Sequence, residues 1–141
     1  MKTSHTITSA LAILVLTTIG CGGSSLAPIQ GSIELGSDIG GGVHFQFNGD
    51  TLEIRSKEDP REIAFASISP DGTFSIESLK GGQILRGANP GDYEARIIIA
   101  DDDSAHRSAG LKAIPKKYLR FETSGLNLSA PSNDVKLTIT R

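Results

Sequence analysis

Asp92-Tyr93-Glu94-Ala95-Arg96-Ile97-Ile98-Ile99-Ala100 decides the fold. Tyr93, Ala95, Ile97 and Ile99 fall on one side of a two-residue period, with Glu94 and Arg96 on the other, the signature of a half-buried β-strand. Ile98 interrupts the polar side, which predicts a central strand with cover on both faces. Asn89-Pro90-Gly91 leads into it, and Pro-Gly suits the two middle positions of a type II turn. The same period recurs on both sides of this stretch. Towards the carboxyl end, Val135, Leu137 and Ile139 alternate with Lys136, Thr138 and Thr140. Towards the amino end, the alternating apolar sets are Phe74 and Ile76, Ile63 and Phe65, Leu52 and Ile54, then Val43, Phe45 and Phe47, and finally Ile33 and Leu35. Ser69-Pro70-Asp71-Gly72 and Asn48-Gly49-Asp50 punctuate them as turns, the second as an Asn-Gly hairpin of type I′. No run of ten residues carries a persuasive helical stripe. The pattern predicts an all-β chain, a single antiparallel β-sandwich of seven or eight strands. Tyr93, Ile97, Ile99, Phe45, Phe47, Phe74, Leu137 and Ile139 should dominate its core.

The amino end reads differently. Met1–Ser9 is polar with one cation, Lys2, and Ala10–Leu16 is a short apolar run that Thr17-Thr18-Ile19-Gly20-Cys21 closes. A charged start, 7–15 apolar residues and a small residue at the cut describe a cleaved secretory signal, residues 1–20. The run falls short of the roughly 20 apolar residues that a transmembrane helix needs. Ile19-Gly20-Cys21 resembles the lipobox of bacterial lipoproteins, although Thr18 stands where that family usually has Leu. The resemblance implies cleavage before Cys21 and lipidation of its thiol. A plain secreted chain with a free cysteine is the alternative. Gly22-Gly23-Ser24-Ser25 then opens a flexible leash, residues 21–29, which joins the anchor to the domain at 30–141.

Removing residues 1–20 of 141 leaves 121, the size of one domain and enough for an unstapled core. Cys21 is the sole cysteine, so no intramolecular disulfide can form. Formal net charge is −2, and −3 once Lys2 leaves with the signal, which is not the footprint of a nucleic-acid binder.

Gln30–Phe47, then Ser69-Pro70-Asp71-Gly72-Thr73-Phe74, then Asn89-Pro90-Gly91-Asp92-Tyr93, resemble in order and spacing the carboxypeptidase regulatory-like domain. Ile114-Pro115-Lys116-Lys117-Tyr118 followed by Thr123-Ser124-Gly125-Leu126 resembles the carboxyl end of small bacterial lipoproteins that carry it. The chain departs at residues 36–42, where a glycine-rich link replaces a tight Asp-Gly turn and leaves the strand register open. The resemblance implies a transthyretin-like, Ig-like sandwich and an accessory, carrier, adhesive or carbohydrate-binding role. The hydroxyisourate hydrolases are its enzymatic cousins, but this chain ends Leu137-Thr138-Ile139-Thr140-Arg141 and lacks their Tyr-Arg-Gly-Ser terminus.

Few residues invite chemistry. Asp101-Asp102-Asp103 with His106 is the one set that could collect Ca²⁺ or a transition metal. Three adjacent carboxylates cannot all face one ion, so a solvated loop is the plainer reading and no metal site is assigned. His44 is expected on the outer face of its strand. No serine, histidine and aspartate are spaced as a nucleophile with its base, and no cofactor motif is present. Lys112, Lys116, Lys117 and Arg120, with Tyr118 among them, form one cationic cluster that an anionic partner could use. Alternatively, Ile114, Pro115 and Tyr118 pin that segment to the core while the lysines face water. The expected function is a lipid-anchored, non-enzymatic cell-envelope module that binds protein or polysaccharide. A small-ligand carrier or weak hydrolase on a transthyretin-like scaffold is the alternative.

Overall fold

The computed structural model describes residues 25–39 and 45–141. Nine strands form two sheets: β1 (Ile29–Leu35), β2 (Thr51–Ser56), β3 (Ile63–Ser67), β4 (Thr73–Ser75), β5 (Glu77–Lys80), β6 (Gln83–Arg86), β7 (Gly91–Ile98), β8 (Leu126–Ala130) and β9 (Ser132–Ile139). A three-stranded sheet has the order β4-β1-β9, and a six-stranded sheet the order β6-β5-β3-β2-β7-β8. Between β7 and β8 lie helix α1 (Ser104–Ala113), a 3₁₀ turn (Lys116–Leu119) and a one-turn helix α2 (Phe121–Ser124). The architecture is the expected all-β sandwich.

β7 shows why the period of two builds this fold. Its odd-numbered side chains Tyr93, Ala95 and Ile97 are all buried, while Glu94 and Arg96 point the other way. β2 pairs along one side of it and β8 along half of the other, so it is an interior strand. The facing sheet supplies Ile33, Phe74, Leu137 and Ile139 to the same cluster. Of the eight residues expected to dominate the core, Tyr93, Ile97, Phe47, Phe74, Leu137 and Ile139 are buried. Ile99 and Phe45 are half-buried and pack against its margin.

The two sheets are joined by strands that change layer. β4 and β5 are one extended run broken at the fully buried Ile76. Its N–H donates to the Ile29 carbonyl of one sheet, and its carbonyl accepts from Gly87, just past β6 of the other. Pro131 marks a similar corner, where β8 leaves the large sheet and β9 begins in the small one.

Several expectations are corrected. The described residues form nine strands, and β1 and β9 run parallel, with Ile33 opposite Leu137 and Leu35 opposite Ile139. Alternation fixes which face is buried but not strand direction, and the corner at Pro131 sets that direction. Phe45–Phe47 are not in a strand, and β2 pairs with β3 and β7 instead, so Asn48-Gly49 closes no hairpin. Gly49 alone takes a positive φ there, +79°, whereas type I′ needs two such residues. Gly91 has φ +148°, outside the type II range, and already pairs with Ala130 as the first residue of β7. Ser69-Pro70-Asp71-Gly72 does turn: Gly72 N–H donates to Ser69 O at 2.8 Å and Ser69 N–H to Thr73 O at 2.9 Å.

Helix α1 also contradicts the expected absence of helix. Asp103 caps it, its Oδ1 accepting the N–H groups of Ala105 and His106. Its contact with the sandwich runs through Gly110, where an added Cβ would lie 2.9 Å from Ile99 Cγ2 and 3.2 Å from the Phe45 ring. A helix that docks through a glycine needs no apolar stripe, so the periodicity test passes over it.

Candidate functional site

The sequence candidates come apart in space. Cys21 and His44 lie outside the described residues. The leash expected over residues 21–29 is shorter than that, because Ala27 is buried, exchanges hydrogen bonds with Ala88 and leads directly into buried Ile29. Five residues lie between Cys21 and Ala27 in the sequence.

The acidic run forms no metal centre: among the described residues, no three His, Cys, Asp or Glu side chains converge as ligands. Asp103 is spent on the helix cap, and Asp101 lies 3.5 Å from Arg107. His106 instead turns inward to Asp50, its Nε2 2.9 Å from Asp50 Oδ1. That oxygen also accepts the Ala100 N–H at 2.8 Å. Asp50 is fully buried, and its Oδ2 has no hydrogen-bond partner among the described residues. The His106 ring packs on Phe45, with centroids 5.1 Å apart. The pair ties α1 to the loop before β2 and to the end of β7.

Of the cationic cluster, Lys116, Lys117 and Arg120 come together with Thr123 around an open groove of about 330 Å³, and Lys112 stands apart on the last turn of α1. The backbone here belongs to the core: Ile114 and Tyr118 are buried, while all four cations are exposed. Lys117 Nζ lies 5.0 Å from the centre of the Tyr118 ring. Burial alone would raise the Tyr118 phenol. Hydrogen bonds from the Thr140 hydroxyl and Thr140 N–H, together with the Lys117 charge, outweigh it and hold the phenol below its ordinary value. The groove is therefore positive, shallow and built on a rigid floor.

Alongside it, the outer face of the large sheet carries an ordered charge network. Phe121 is buried between two guanidinium groups, Arg55 at 4.3 Å and Arg96 at 4.8 Å from its ring centre. Arg55 bonds Glu94 and Glu122, and Arg96 bonds Glu53. The Glu94 hydrogen bond is the main reason that the Arg55 guanidinium is held even more firmly in its charged form. This network staples α2 to the sheet. A groove of about 370 Å³ adjoins it, lined by Ile97, Ile98, Ile99, Leu111 and Leu119 together with Arg96, Asp101 and Arg107.

A further feature escaped the sequence reading. β5 and β6 form a hairpin closed by Gly81 (φ +57°) and Gly82 (φ +78°), the two positive values of a type I′ turn. Only Glu77 at its foot pairs with β3, opposite Phe65, so the rest projects as a two-stranded ribbon. Leu79 and Ile84 face each other across it, 63% and 61% exposed, and Ile63 (45%) lies on the same face of β3. Leu85, on the opposite face, is 41% exposed. Fully burying one such side chain is worth roughly 1.5–3 kcal/mol, and about half of that is left unused at each. The outer edge of β6 bonds to no described strand. The Gly81-Gly82 signal was present in the sequence. Its flanking apolar residues point away from the core and so lack the companion set that marks a strand in sequence.

No family model matches the chain, and no curated protein or solved structure matches it either.

Proposed function

We propose that this protein is a lipid-anchored, non-enzymatic module of the bacterial cell envelope, held at Cys21 and acting through its surface. The observation that carries the interaction half of this reading is the projecting β5–β6 ribbon. A monomer that exposes Leu79, Ile84 and Leu85 on a strand pair bound to its sheet at one end leaves apolar area for something outside itself. The anchor half rests on the sequence, where the apolar run Ala10–Leu16 ends at a sole cysteine followed by Gly22-Gly23-Ser24-Ser25. Among the described residues no helix is long and apolar enough to cross a membrane, and the proposed route of attachment is Cys21. The positive groove at Lys116, Lys117 and Arg120 is a second surface, suited to an anionic polymer or an acidic protein.

The full chain, made in a bacterium and fractionated, tests this reading. Wild type is expected in the membrane fraction, released by detergent and not by salt, with Cys21→Ala in the soluble fraction. Wild type in the soluble fraction would overturn the anchor.

A second reading, a carrier of a small apolar ligand, draws support from the groove beside α1, where Ile98, Ile99, Leu111 and Leu119 meet and Arg96 and Arg107 are already paired with Glu53 and Asp101. Medium-chain alcohols that raise the melting temperature of wild type but not of Leu111→Asp would favour it.

A further inference from the structure

We infer that the β5–β6 ribbon seats against the surface of the lipid bilayer that anchors the chain; this rests on the anchored reading above. The ribbon carries apolar side chains on both faces, Leu79 and Ile84 on one and Leu85 on the other, and the fold covers each of them only in part. Every residue of β6 is exposed. A sheet edge built to pair with another strand needs a buried face behind it, whereas a wedge entering the apolar boundary of a bilayer needs apolar residues on both sides.

What names the occupant is where the leash meets the fold. Ala27 is bonded to Ala88, two residues beyond the end of β6, and Gly87 packs against Ala27 and Leu26. The anchor therefore joins the domain at the foot of the ribbon. From Ala27 back to Cys21 the chain reaches at most about 20 Å, while Ala88 and Ile84 are separated by about 13 Å of strand. The tether is longer than that span and short enough to keep the ribbon at the membrane surface. Tethering on this scale gives an effective concentration near 1 mM, so a patch of three or four apolar side chains too weak to bind a membrane alone is engaged once anchored.

The ribbon carries Glu77, Lys80 and Arg86, a net charge of +1, with Arg86 opposite Glu77 and Lys80 Nζ held 2.6 Å from Asn89 Oδ1. Its apolar side chains dominate the contact, which should therefore persist in salt.

The test uses the full, processed chain purified from membranes and reconstituted into phosphatidylcholine vesicles containing nitroxide-bearing lipid. An environment-sensitive fluorophore is placed at Ile84→Cys, or at Lys136→Cys on the small sheet as a control. Both positions are exposed, so neither change disturbs the core. Quenching at position 84 is expected to exceed that at 136 at least threefold, to persist in 0.5 M salt, and to fall to the control level when Leu79→Asp is added. Equal quenching at the two positions in a chain whose amino-terminal mass proves it lipidated would overturn this inference and leave the anchor standing. A soluble Cys21→Ala chain that forms a dimer in detergent-free buffer, and returns to a monomer when Leu79→Asp is added, would give the ribbon to a second copy of the chain and equally overturn it. An unlipidated amino end would overturn both readings.

Discussion

Asp50 and His106 show how much one buried pair can hold. Asp50 is fully buried with one oxygen shared between Ala100 and His106, and the other is left without a partner. Removing the imidazole leaves the carboxylate one backbone hydrogen bond, so His106→Ala should lower unfolding free energy by about 1–3 kcal/mol, read from the midpoint of urea unfolding. An unchanged midpoint would mean that water reaches Asp50. Neither partner was legible as such. Asp50 sits in what reads as a turn, and His106 follows three aspartates that draw attention to metal, so only the tertiary fold pairs residues 56 positions apart.

Tyr93 gives a pH prediction at the same scale. Its hydroxyl is 2.8 Å from the Asn89 carbonyl and 3.2 Å from Glu62 Oε1. Burial, followed by the nearby negative charge of Glu62, pushes the phenol far above its ordinary value of about 10. The folded state therefore keeps a proton that the unfolded chain releases. The associated stability is fully present below pH 10 and is lost as pH rises beyond it, by at most about 1.4 kcal/mol per pH unit. Urea midpoints measured from pH 9 to 11 should fall more steeply for wild type than for Tyr93→Phe. Parallel slopes would show that Tyr93 ionises freely.

Among the elements, legibility followed the core. β7, β2, β3, β4, β9 and β1 were visible because their buried sets alternate with polar ones. α1 was not, because it meets the sandwich at Gly110, and β5–β6 was not, because its apolar residues face outward. Direction was equally hidden, since the parallel β1–β9 pair has the same alternation as an antiparallel one. Three substitutions probe the helical connection between β7 and β8. Gly110→Val drives a branched side chain into Ile99 and Phe45 and should cost about 1–3 kcal/mol by overpacking. Gly110→Ala should cost less, as its single carbon needs only a small shift. Phe121→Ala removes the ring between Arg55 and Arg96 and should cost about 3–5 kcal/mol. Thermal melts rank the three, and a Phe121→Ala protein as stable as wild type would mean that α2 contributes nothing to holding the sheet.

At the scale of the whole molecule, three features lie in a meaningful order along the surface. The leash reaches the fold at Ala27, the apolar ribbon rises from Ala88 beside it, and the cationic groove at Lys116, Lys117 and Arg120 belongs to the helical connection between β7 and β8. A domain tethered at Cys21 would use the first two towards its membrane and could offer the third to an anionic partner. The proposed anchor and the cations are read from the sequence, but the ribbon's place beside the leash emerges only where Ala88, just past β6, bonds Ala27. The measurement that tests this most directly is the intact mass of the chain recovered from bacterial membranes, with mapping of its amino-terminal peptide. Lipid anchoring predicts a chain that starts at Cys21 and carries the added mass of a diacylglyceryl group. An unmodified amino end at or near Cys21 would contradict it and make this a secreted domain with a free thiol.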